Sequence, residues 1–332
     1  MTQTAIVIVT CNSAGHIGAA LDAALAHCAR VVVVDNASED DTCSVVRSRS
    51  GARLIVNQSN RGFAAAVNQG VGACDSEFIL LLNPDAVLLA GLEDLVEACR
   101  RPEVGAAAGL LLSEDGKPQA GFTLRRFPTA AALCFEALGI NRLWPANPVN
   151  RRYRCLDLDL QQPGEAEQPP GAFLMIRRDV WQRLGGLDEG YYPLWFEDVD
   201  FLKRLRDGGQ RVRYVPAARA RHHGGHSVER LTATSRTIYW YSSLLRYAQR
   251  HLRPTAFRAV CTAVAVGALV RLVTGMAGRR SLQPVASYGK VFRLAGRCLC
   301  ARRWQNEESG VVKYQSAEAA EKQESTTQVH GS

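Results

Sequence analysis

The strongest constraint on this chain is the regular alternation of strand-type and helix-type segments over its first quarter. Apolar β-type runs at 5–10 and 30–35, the second with four consecutive valines, enclose a segment at 14–27 with apolar residues at helical spacing. Further β-type runs follow at 53–57 and 77–82. Strands that alternate with helices predict an α/β fold, with a mostly parallel central sheet covered by helices on both faces.

Beyond residue 100 the pattern is less regular. Apolar runs predict strands at 106–112, 174–176 and 212–215. Pro, Asn and Arg are frequent at 139–171, which predicts a long loop over the sheet. A helical periodicity with acidic residues in its first turn predicts a helix at 195–207. The sheet-containing domain is therefore expected to end near residue 230.

Two acidic residues follow predicted strands at the edge of the sheet where ligands bind. Asp35 ends the second strand and can accept hydrogen bonds from a ribose or a pyrimidine N–H, or can begin an Asx turn. Asp85, in Asn83-Pro84-Asp85, can hold a divalent cation against a diphosphate, or can belong to a type I turn. Asp157 and Asp159 have the D-x-D spacing of many metal-binding motifs, but they lie in a polar loop that no buried strand precedes.

Two further polar clusters can take part in chemistry. Glu197 and Asp198 lie at the start of the last predicted helix of this domain, where a carboxylate is either a structural cap or a general base. Trp195 beside them offers a stacking surface. The second cluster is a histidine loop that can supply an imidazole to a Mn²⁺-like cation or remain exposed to solvent. Its histidines are His222, His223 and His226.

Missing motifs exclude several function classes. No G-x-G-x-x-G follows the first strand and no P-loop lysine motif is present, which argues against nicotinamide enzymes and P-loop NTPases. No G-x-S-x-G elbow, CxxC pair or HExxH motif occurs. The ten cysteines are scattered, so we expect reduced, buried thiols in a cytoplasmic protein. The run at 1–9 lacks a basic region and a cleavage-like site, so no signal peptide is expected.

The net charge of +8 is unevenly distributed. Residues 1–210 carry 20 Lys and Arg against 26 Asp and Glu, whereas residues 211–303 carry 18 against one. This distribution excludes a uniformly basic coat for nucleic acid, and no nucleic-acid partner is expected.

The basic region is predicted to form helices from residue 232 onward. The uncharged stretch at 259–270 is short for a transmembrane span, and predicts a helix in the membrane interface with snorkelling Arg258 and Arg271. Three regions are expected: a first domain at 1–230, a basic, amphipathic helical membrane-associating region at 231–304, and a disordered polar tail at 305–332.

The segments at the strand ends, taken in order, resemble a known family. They are residues 6–13, 33–42, 57–63, 68–70, 82–85, 171–173 and 196–200. Their order and spacing, over residues 4–230, are similar to those of the inverting family-2 glycosyltransferases of GT-A fold. Within that family they are most similar to the rhamnosyltransferase-like enzymes of bacterial polysaccharide assembly. The resemblance implies a GT-A nucleotide-sugar-binding domain.

The resemblance also implies a binding site for a nucleoside-diphosphate sugar. Asp35 would bind the base, in a pocket lined by Thr10 and Asn12. The other implied nucleotide-sugar residues are Asn60, Arg61, Gly62, Asn68 and Asn83.

The same resemblance implies a divalent cation, Mg²⁺ or Mn²⁺. Asp85 would be the metal-binding acid, and Asn83 stands where the commonest form of the motif has a second aspartate. His222 would be a second ligand, with His223 and His226 as rivals.

On the acceptor side, the resemblance makes Asp198 the general base, with Glu197 as the alternative, and adds Gly171 and Trp195. The implied reaction is a single displacement that inverts the sugar, with dTDP-rhamnose as the preferred donor. The implied acceptor is a polyprenyl-diphosphate-linked glycan at the inner face of the cell membrane. A UDP-hexose or GDP-mannose donor and a non-catalytic membrane-bound scaffold remain as alternatives. A nucleotidyltransferase would need a basic loop at 10–15, where no Lys or Arg occurs.

Overall fold

The computed structural model describes residues 3–224, 231–278 and 283–300. The chain forms two compact units. Within the described residues, the first unit contains the β-sheet and is drawn from 3–127, 151–189 and 197–224. The second unit is helical and is drawn from 128–150, 190–196, 231–278 and 283–300.

One half of the sheet is parallel. Its strands lie in the order β3-β2-β1-β4: β1 (Thr4–Thr10), β2 (Val31–Asp35), β3 (Ala52–Val56) and β4 (Phe78–Leu82). Every residue of β2 and β4 is buried, as expected of apolar strands covered on both faces. The connecting helices are α1 (Ala14–His27), α2 (Thr42–Arg47) and α3 (Phe63–Gly72).

The other half of the sheet is mixed. It continues from β4 in the order β8-β6-β9-β5, with β7 paired to β9. Its strands are β5 (Ala86–Ala90), β6 (Val104–Leu112), β7 (Gly164–Ala166), β8 (Phe173–Arg177) and β9 (Arg211–His222). Its helices are α4 (Leu92–Cys99), α7 (Pro148–Tyr153), α8 (Arg178–Leu184) and α9 (Glu197–Asp207). The predicted α/β class is therefore confirmed.

Alternate residues of the central strand β1 fill two separate cores. Ile6 and Ile8 pack with residues of α1 and α4 on one face of the sheet. Val7 and Val9 pack with residues of α3 and α9 on the other face. Because β1 is buried from both sides, the polar residues that follow its carboxyl end stand on a rigid support.

The second unit is a group of packed helices: α5 (Ala130–Leu138), α6 (Ile140–Leu143), α10 (Ala233–His251), α11 (Pro254–Gly278) and α12 (Gln283–Cys300). Helix α11 packs against α5, α10 and α12. The second unit has almost fully buried apolar side chains, which include Leu244, Val260, Val264 and Leu294.

The unit boundaries differ from the single division expected near residue 230. Residues 128–150 and 190–196 group with the C-terminal helices. The cause is the packing of α5 on α11, an association of distant segments that local sequence patterns do not reveal. The predicted tail at 305–332 lies outside the described residues.

Three local predictions are wrong. Residues 139–171 contain α6, α7 and β7 instead of one long loop. The helix predicted from Trp195 begins at Glu197, because Trp195 and Phe196 have φ angles of 78° and 69°, in the left-handed region that an α-helix does not use. Strand β9 continues to His222 by pairing with β5, a strand that the sequence pattern does not indicate.

Helix α11 also differs from the amphipathic interface helix expected at 259–270. It has 25 residues and is apolar on its packed face and on much of its exposed face. Arg271 does not snorkel, because its guanidinium donates to the carbonyl of Ala137. Residues 254–274 are long and apolar enough to cross a membrane, although the core helix of a soluble protein meets the same criteria.

Candidate active site

The first unit brings polar side chains together where β1 and β2 end. Thr10 and Asp35 are register partners at the ends of these strands, and both are buried. The Thr10 hydroxyl has no hydrogen-bond partner among the described residues. Because a buried hydroxyl normally has a partner, the Thr10 hydroxyl is suited to a polar atom of a ligand.

Asp35 also shapes the turn that follows it. Its carboxylate accepts hydrogen bonds from the Ser38 N–H at 2.9 Å and the Ser38 hydroxyl at 2.5 Å. Ser38 Oγ in turn accepts from the Asn12 N–H at 2.7 Å, and Asn12 Oδ1 accepts from the Glu39 N–H at 2.6 Å. The sequence offered an Asx turn as the alternative to base binding, but the bond formed is to the N–H three residues on and not two. A carboxylate has about four lone-pair positions, so the two bonds from Ser38 do not exhaust its capacity to accept.

A set of asparagine side chains fixes the loop between β3 and α3. Asn36 Nδ2 donates to Asn60 Oδ1 at 2.9 Å, and Asn36 Oδ1 accepts from the Arg61 N–H at 3.0 Å. Asn60 Oδ1 also accepts from the Gly62 N–H, where the chain takes a φ of 84°. The Arg61 side chain is exposed. This loop therefore presents a cation next to the Asp35 turn, and Asn36 is an organising residue that the sequence prediction omitted.

The side chain of Asn68 forms hydrogen bonds with the segment that follows α8. Its Nδ2 donates to the Leu187 carbonyl at 2.9 Å and to Glu189 Oε1 at 3.0 Å, and its Oδ1 accepts from the Leu187 N–H at 2.9 Å. These contacts tie α3 to the segment after α8. A role for Asn68 in binding the nucleotide sugar stays a prediction that no contact in the structure supports.

A carboxylate and an imidazole meet where β4 and β9 end. Asp85 Oδ1 lies 3.5 Å from His222 Nε2, and both side chains are at least nine-tenths buried. Asn83 Nδ2 is 3.5 Å from the same ring nitrogen. Asp85 Oδ2 accepts from the Gly224 N–H at 3.0 Å. The extension of β9 by pairing with β5 is what carries His222 to this position.

Gln119 determines which nitrogen of His222 carries the proton. Its Nε2 donates to the His222 carbonyl at 2.7 Å, so its Oε1 is the atom 3.1 Å from His222 Nδ1. An oxygen cannot donate, so the neutral ring bears its hydrogen on Nδ1 and has its lone pair on Nε2. Burial also lowers the pKa of His222, which favours the neutral ring.

The Asp85–His222 pair therefore presents two lone-pair donors to one position. A carboxylate oxygen and a neutral imidazole nitrogen are both suited to Mn²⁺-like cations. In the described ranges, no group of three or more His, Cys, Asp or Glu side chains could hold a metal ion. The donor set thus fits a cation that takes its remaining ligands from a diphosphate and water, as Mg²⁺ usually does.

The other two histidines of the loop were the rival candidates for a cation ligand. His223 Nδ1 lies 3.6 Å from Glu114 Oε1, and its ring is 4.9 Å from that of His16. His226 lies outside the described residues. Of the two histidines of this loop that the structure describes, His222 is the one whose ring lies beside the Asp85 carboxylate.

The segment 119–125 runs from the Asp85–His222 pair toward a second group of acids. The ring of Phe122 stacks on His222, with centroids 5.3 Å apart and an interplanar angle of 7°. The Arg125 guanidinium lies 5.6 Å from the Phe122 centroid and 6.0 Å from that of Tyr153. The charge of Arg125 favours the ionised form of Asp198. The sequence offers no signal for these residues, because they come together only through the fold.

Asp198 and Glu197 begin α9 in different environments. Asp198 Oδ2 accepts from the Gly171 N–H at 2.9 Å, and its Oδ1 accepts from the Val199 N–H at 2.7 Å. Burial raises the pKa of Asp198, and these hydrogen bonds and the charge of Arg125 oppose that rise. Burial and the neighbouring Asp198 raise the pKa of Glu197 well above its ordinary value. The Glu197 Oε2 atom has no partner among the described residues.

The two environments favour different protonation states for the two acids. Two N–H donors favour the carboxylate form of Asp198, which can accept a proton. Burial favours the neutral form of Glu197, whose pKa is raised well above its ordinary value. Gly171 supports Asp198 directly, whereas Trp195 belongs to the second unit.

Two solved structures share the fold of this chain. A mannosyltransferase of Pyrobaculum calidifontis, solved with GDP-Man and Mn²⁺, aligns with a TM-score of 0.51 at 18% identity, over 96% of this chain and 84% of that one. GalNAc-T7, solved with UDP, GalNAc and Mn²⁺, aligns with a TM-score of 0.51 at 14% identity, over 75% of this chain and 50% of that one. The predicted GT-A fold is thereby confirmed.

The sequence comparisons identify the family. The profile of Glycosyl transferase family 2 matches residues 5–185. The chain is 30% identical over 269 residues to the N-acetylglucosaminyl-diphospho-decaprenol L-rhamnosyltransferase of Mycobacterium tuberculosis (strain H37Rv), covering 74% of this chain and 84% of that protein. It is 27% identical over 206 residues to rhamnosyltransferase WbbL of Escherichia coli (strain K12), covering 60% of this chain and 72% of that protein. The chain belongs to glycosyltransferase family 2, in its rhamnosyltransferase-like branch, and is a glycosyltransferase of polysaccharide synthesis.

Proposed function

We propose that this enzyme transfers L-rhamnose from dTDP-rhamnose, with inversion, to a hydroxyl of a polyprenyl-diphosphate-linked glycan. The observation that carries the proposal is a set of three acidic positions in one unit. Asp35 follows β2, Asp85 pairs with His222 after β4, and Asp198 begins α9. The name of the Mycobacterium relative supports the sugar and the lipid-linked acceptor.

The donor nucleotide would bind at the end of β1 and β2. Asp35 has lone pairs for an N–H of the base or a hydroxyl of the ribose, and Thr10 offers an unpartnered hydroxyl next to it. Arg61, exposed on a loop fixed by Asn36 and Asn60, would pair with a phosphate oxygen.

Asp85 and His222 would hold Mg²⁺ or Mn²⁺ beside the diphosphate. When bound, such a cation neutralises the charge that develops on a leaving diphosphate. Gln119 keeps the Nε2 lone pair of His222 directed at the proposed cation position. The side-chain amide of Asn83 lies next to that position, 3.5 Å from His222 Nε2. The presence of Mn²⁺ in two GT-A structures supports a divalent cation in general.

Asp198 would take the proton of the attacking hydroxyl. The Gly171 and Val199 N–H groups hold the carboxylate in one orientation, which fixes the side from which the acceptor attacks. Attack opposite the leaving diphosphate inverts the anomeric centre. The raised pKa of Glu197 beside Asp198 disfavours a second negative charge in the site.

The acceptor places the reaction at a membrane. A polyprenyl chain anchors its glycan in the bilayer, so we propose that the enzyme acts from the cytoplasm as a peripheral protein of the inner face. The basic region at 211–303 would be attracted to anionic headgroups, at about 1 kcal/mol for each Lys or Arg near the surface. Gly171 and Trp195 would lie on the acceptor side.

The test is a donor comparison with the full chain. The purified protein is incubated with a polyprenyl-diphosphate-GlcNAc acceptor and, separately, dTDP-rhamnose, UDP-glucose or GDP-mannose. Mass spectrometry is expected to find one deoxyhexose added only from dTDP-rhamnose, and NMR of the product to show the inverted anomer. Transfer only from another donor would refute the sugar assignment. No transfer from any donor by a folded protein would support a non-catalytic scaffold instead.

A further inference from the structure

The exposed side of α11 carries an unusual concentration of apolar side chains in its second half. Val260, Val264 and Ala268, on the opposite side, are fully buried in the second unit. The exposed residues recur at intervals of three and four, so they share one face of the helix. This apolar stripe consists of Val266, Leu269, Val270 and Val273, which are 46–57% exposed.

A second exposed apolar feature is the corner formed by Leu143 and Trp144, at the end of α6. These side chains are 87% and 56% exposed. The corner is nevertheless fixed by buried amides: Asn147 Nδ2 donates to the Trp144 carbonyl at 2.7 Å, and Asn150 Nδ2 donates to the Pro145 carbonyl at 2.7 Å. Buried polar groups thus hold two large apolar side chains in solvent.

The stripe and the Leu143–Trp144 corner belong to neighbouring parts of the second unit, because α11 packs on α5, the helix that precedes α6. Arg271, which lies on α11 between Val270 and Val273, donates to the carbonyl of Ala137 at the end of α5. Gly267 crosses the same carbonyl so closely that a Cβ has no room there. Since α6 follows α5 after a single glycine, the corner lies six and seven residues along the chain from this contact.

The unit that carries these apolar residues is strongly basic. Among the described residues of the second unit there are ten Lys and Arg, and the single Asp or Glu is Glu136. The basic residues are Arg142, Arg236, Arg246, Arg250, Arg253, Arg258, Arg271, Lys290, Arg293 and Arg297.

We propose that the stripe and the Leu143–Trp144 corner insert into the interface of an anionic lipid bilayer, with exposed basic side chains of the same unit on the headgroups. Apolar residues at the contact, a tryptophan at headgroup depth and a basic surround are the features of interfacial binding. The inference rests on the proposed function for its purpose, namely reaching a membrane-held acceptor, but the surface can be tested without any acceptor.

Two other occupants fit these residues less well. A second copy of the chain would bring two strongly basic surfaces together, which disfavours association. A membrane span by α11 would have to remove Val260 and Val264 from their packing and place Arg271 in hydrocarbon.

Vesicle flotation of the full chain tests the proposal. The wild type is expected to float with vesicles of equal parts phosphatidylcholine and phosphatidylglycerol, and much less with phosphatidylcholine alone. The double substitution Leu143→Ser, Trp144→Ser keeps every charge and is expected to weaken partitioning about 10- to 30-fold, because it removes apolar area from the contact. The matched control is Leu156→Ser, Leu158→Ser, which changes two side chains of the first unit that are 41% and 45% exposed and should bind as the wild type does.

Quenching of tryptophan fluorescence by bromolipids measures the insertion itself. Trp144→Phe keeps the apolar surface and is expected to bind normally but to lose a large part of the quenching. The proposal is overturned if Leu143→Ser, Trp144→Ser binds vesicles as tightly as the wild type, or if Trp144→Phe is quenched as strongly as the wild type. Wild-type protein that resists extraction by alkaline carbonate, or that dimerises through this surface without binding vesicles, also overturns it.

A transfer assay separates this proposal from the proposed function. The Leu143→Ser, Trp144→Ser variant should retain rhamnose transfer to a short-chain, water-soluble acceptor and lose transfer to an acceptor held in vesicles. Absence of transfer by the wild type to either acceptor would refute the proposed function and leave the vesicle-binding result standing.

Discussion

Replacing Gln119 with leucine removes both hydrogen bonds that hold His222, at 2.7 and 3.1 Å, without changing either expected cation ligand. Leucine has similar size but can neither accept the Nδ1 hydrogen nor donate to the His222 carbonyl. The neutral imidazole can then carry its hydrogen on Nε2, the nitrogen 3.5 Å from Asp85. A hydrogen at that position blocks the lone pair that a cation needs.

The size of the effect follows from what the leucine removes. Each hydrogen bond contributes about 0.5–1.5 kcal/mol net, so the loss of two amounts to about 1–3 kcal/mol. Each 1.4 kcal/mol is tenfold in affinity. We therefore expect Gln119→Leu to raise the Kd for Mn²⁺ about 10- to 100-fold, the range typical of partners that orient a metal ligand. Gln119→Glu keeps an acceptor for Nδ1–H and should lose less.

Titration of Mn²⁺ by electron paramagnetic resonance, with a nucleoside diphosphate present, measures this Kd directly. Gln162→Leu is a matched control, since Gln162 is exposed and lies outside the site. His222→Ala alone and with Gln119→Leu completes a double-mutant cycle. The reasoning is refuted if Gln119→Leu binds Mn²⁺ as tightly as the wild type, or if it adds its full loss to that of His222→Ala.

Four further results are expected. Asp198→Asn should lower kcat at least about 10²-fold through loss of base catalysis, and near-wild-type turnover in a purified-enzyme assay would contradict the assignment. Because burial raises the pKa of Asp198, kcat/KM should fall as the pH drops through that raised value, and Asp198→Asn should lack this acid limb. EDTA should suppress transfer and added Mn²⁺ should restore it, whereas full activity in chelator would exclude a cation role for the carboxylate–imidazole pair. Gly267→Ala should cost about 1–3 kcal/mol of unfolding free energy in a thermal melt, because its Cβ meets the α5 carbonyl, while Gly289→Ala, in open space, should cost nothing measurable.

The parallel half of the sheet could be predicted because its information is local. Strands β1 to β4 are short apolar runs followed directly by polar residues, so their ends are visible in the sequence. That visibility located Asp35 and Asp85, and the acidic first turn of α9 located Asp198. The family resemblance then supplied the roles that these positions alone left open.

The rest of the site depends on contacts between distant segments. Gln119 lies in a turn with no motif, and only the extension of β9 brings His222 within reach of it, 103 residues away. The sequence pattern ended that strand at 215, because its later residues alternate basic and small side chains. The contacts of Asn68 are also long-range: its amide bonds the backbone of Leu187, 119 residues away, and the nucleotide-sugar role that the resemblance implies for it stays a prediction.

The division into two units also determines where this enzyme can be truncated and which segments can be exchanged. The chain passes from one unit to the other five times. One of these crossings, from the second unit back to the first, falls at the peptide bond between Phe196 and Glu197. A fragment ending at residue 230 would keep 128–150 while losing the helices on which α5 packs, so its buried apolar residues would be uncovered. The C-terminal helices are therefore not a detachable anchor. Exchanging them between relatives, to redirect the enzyme to another membrane or acceptor, requires that 128–150 and 190–196 be exchanged with them.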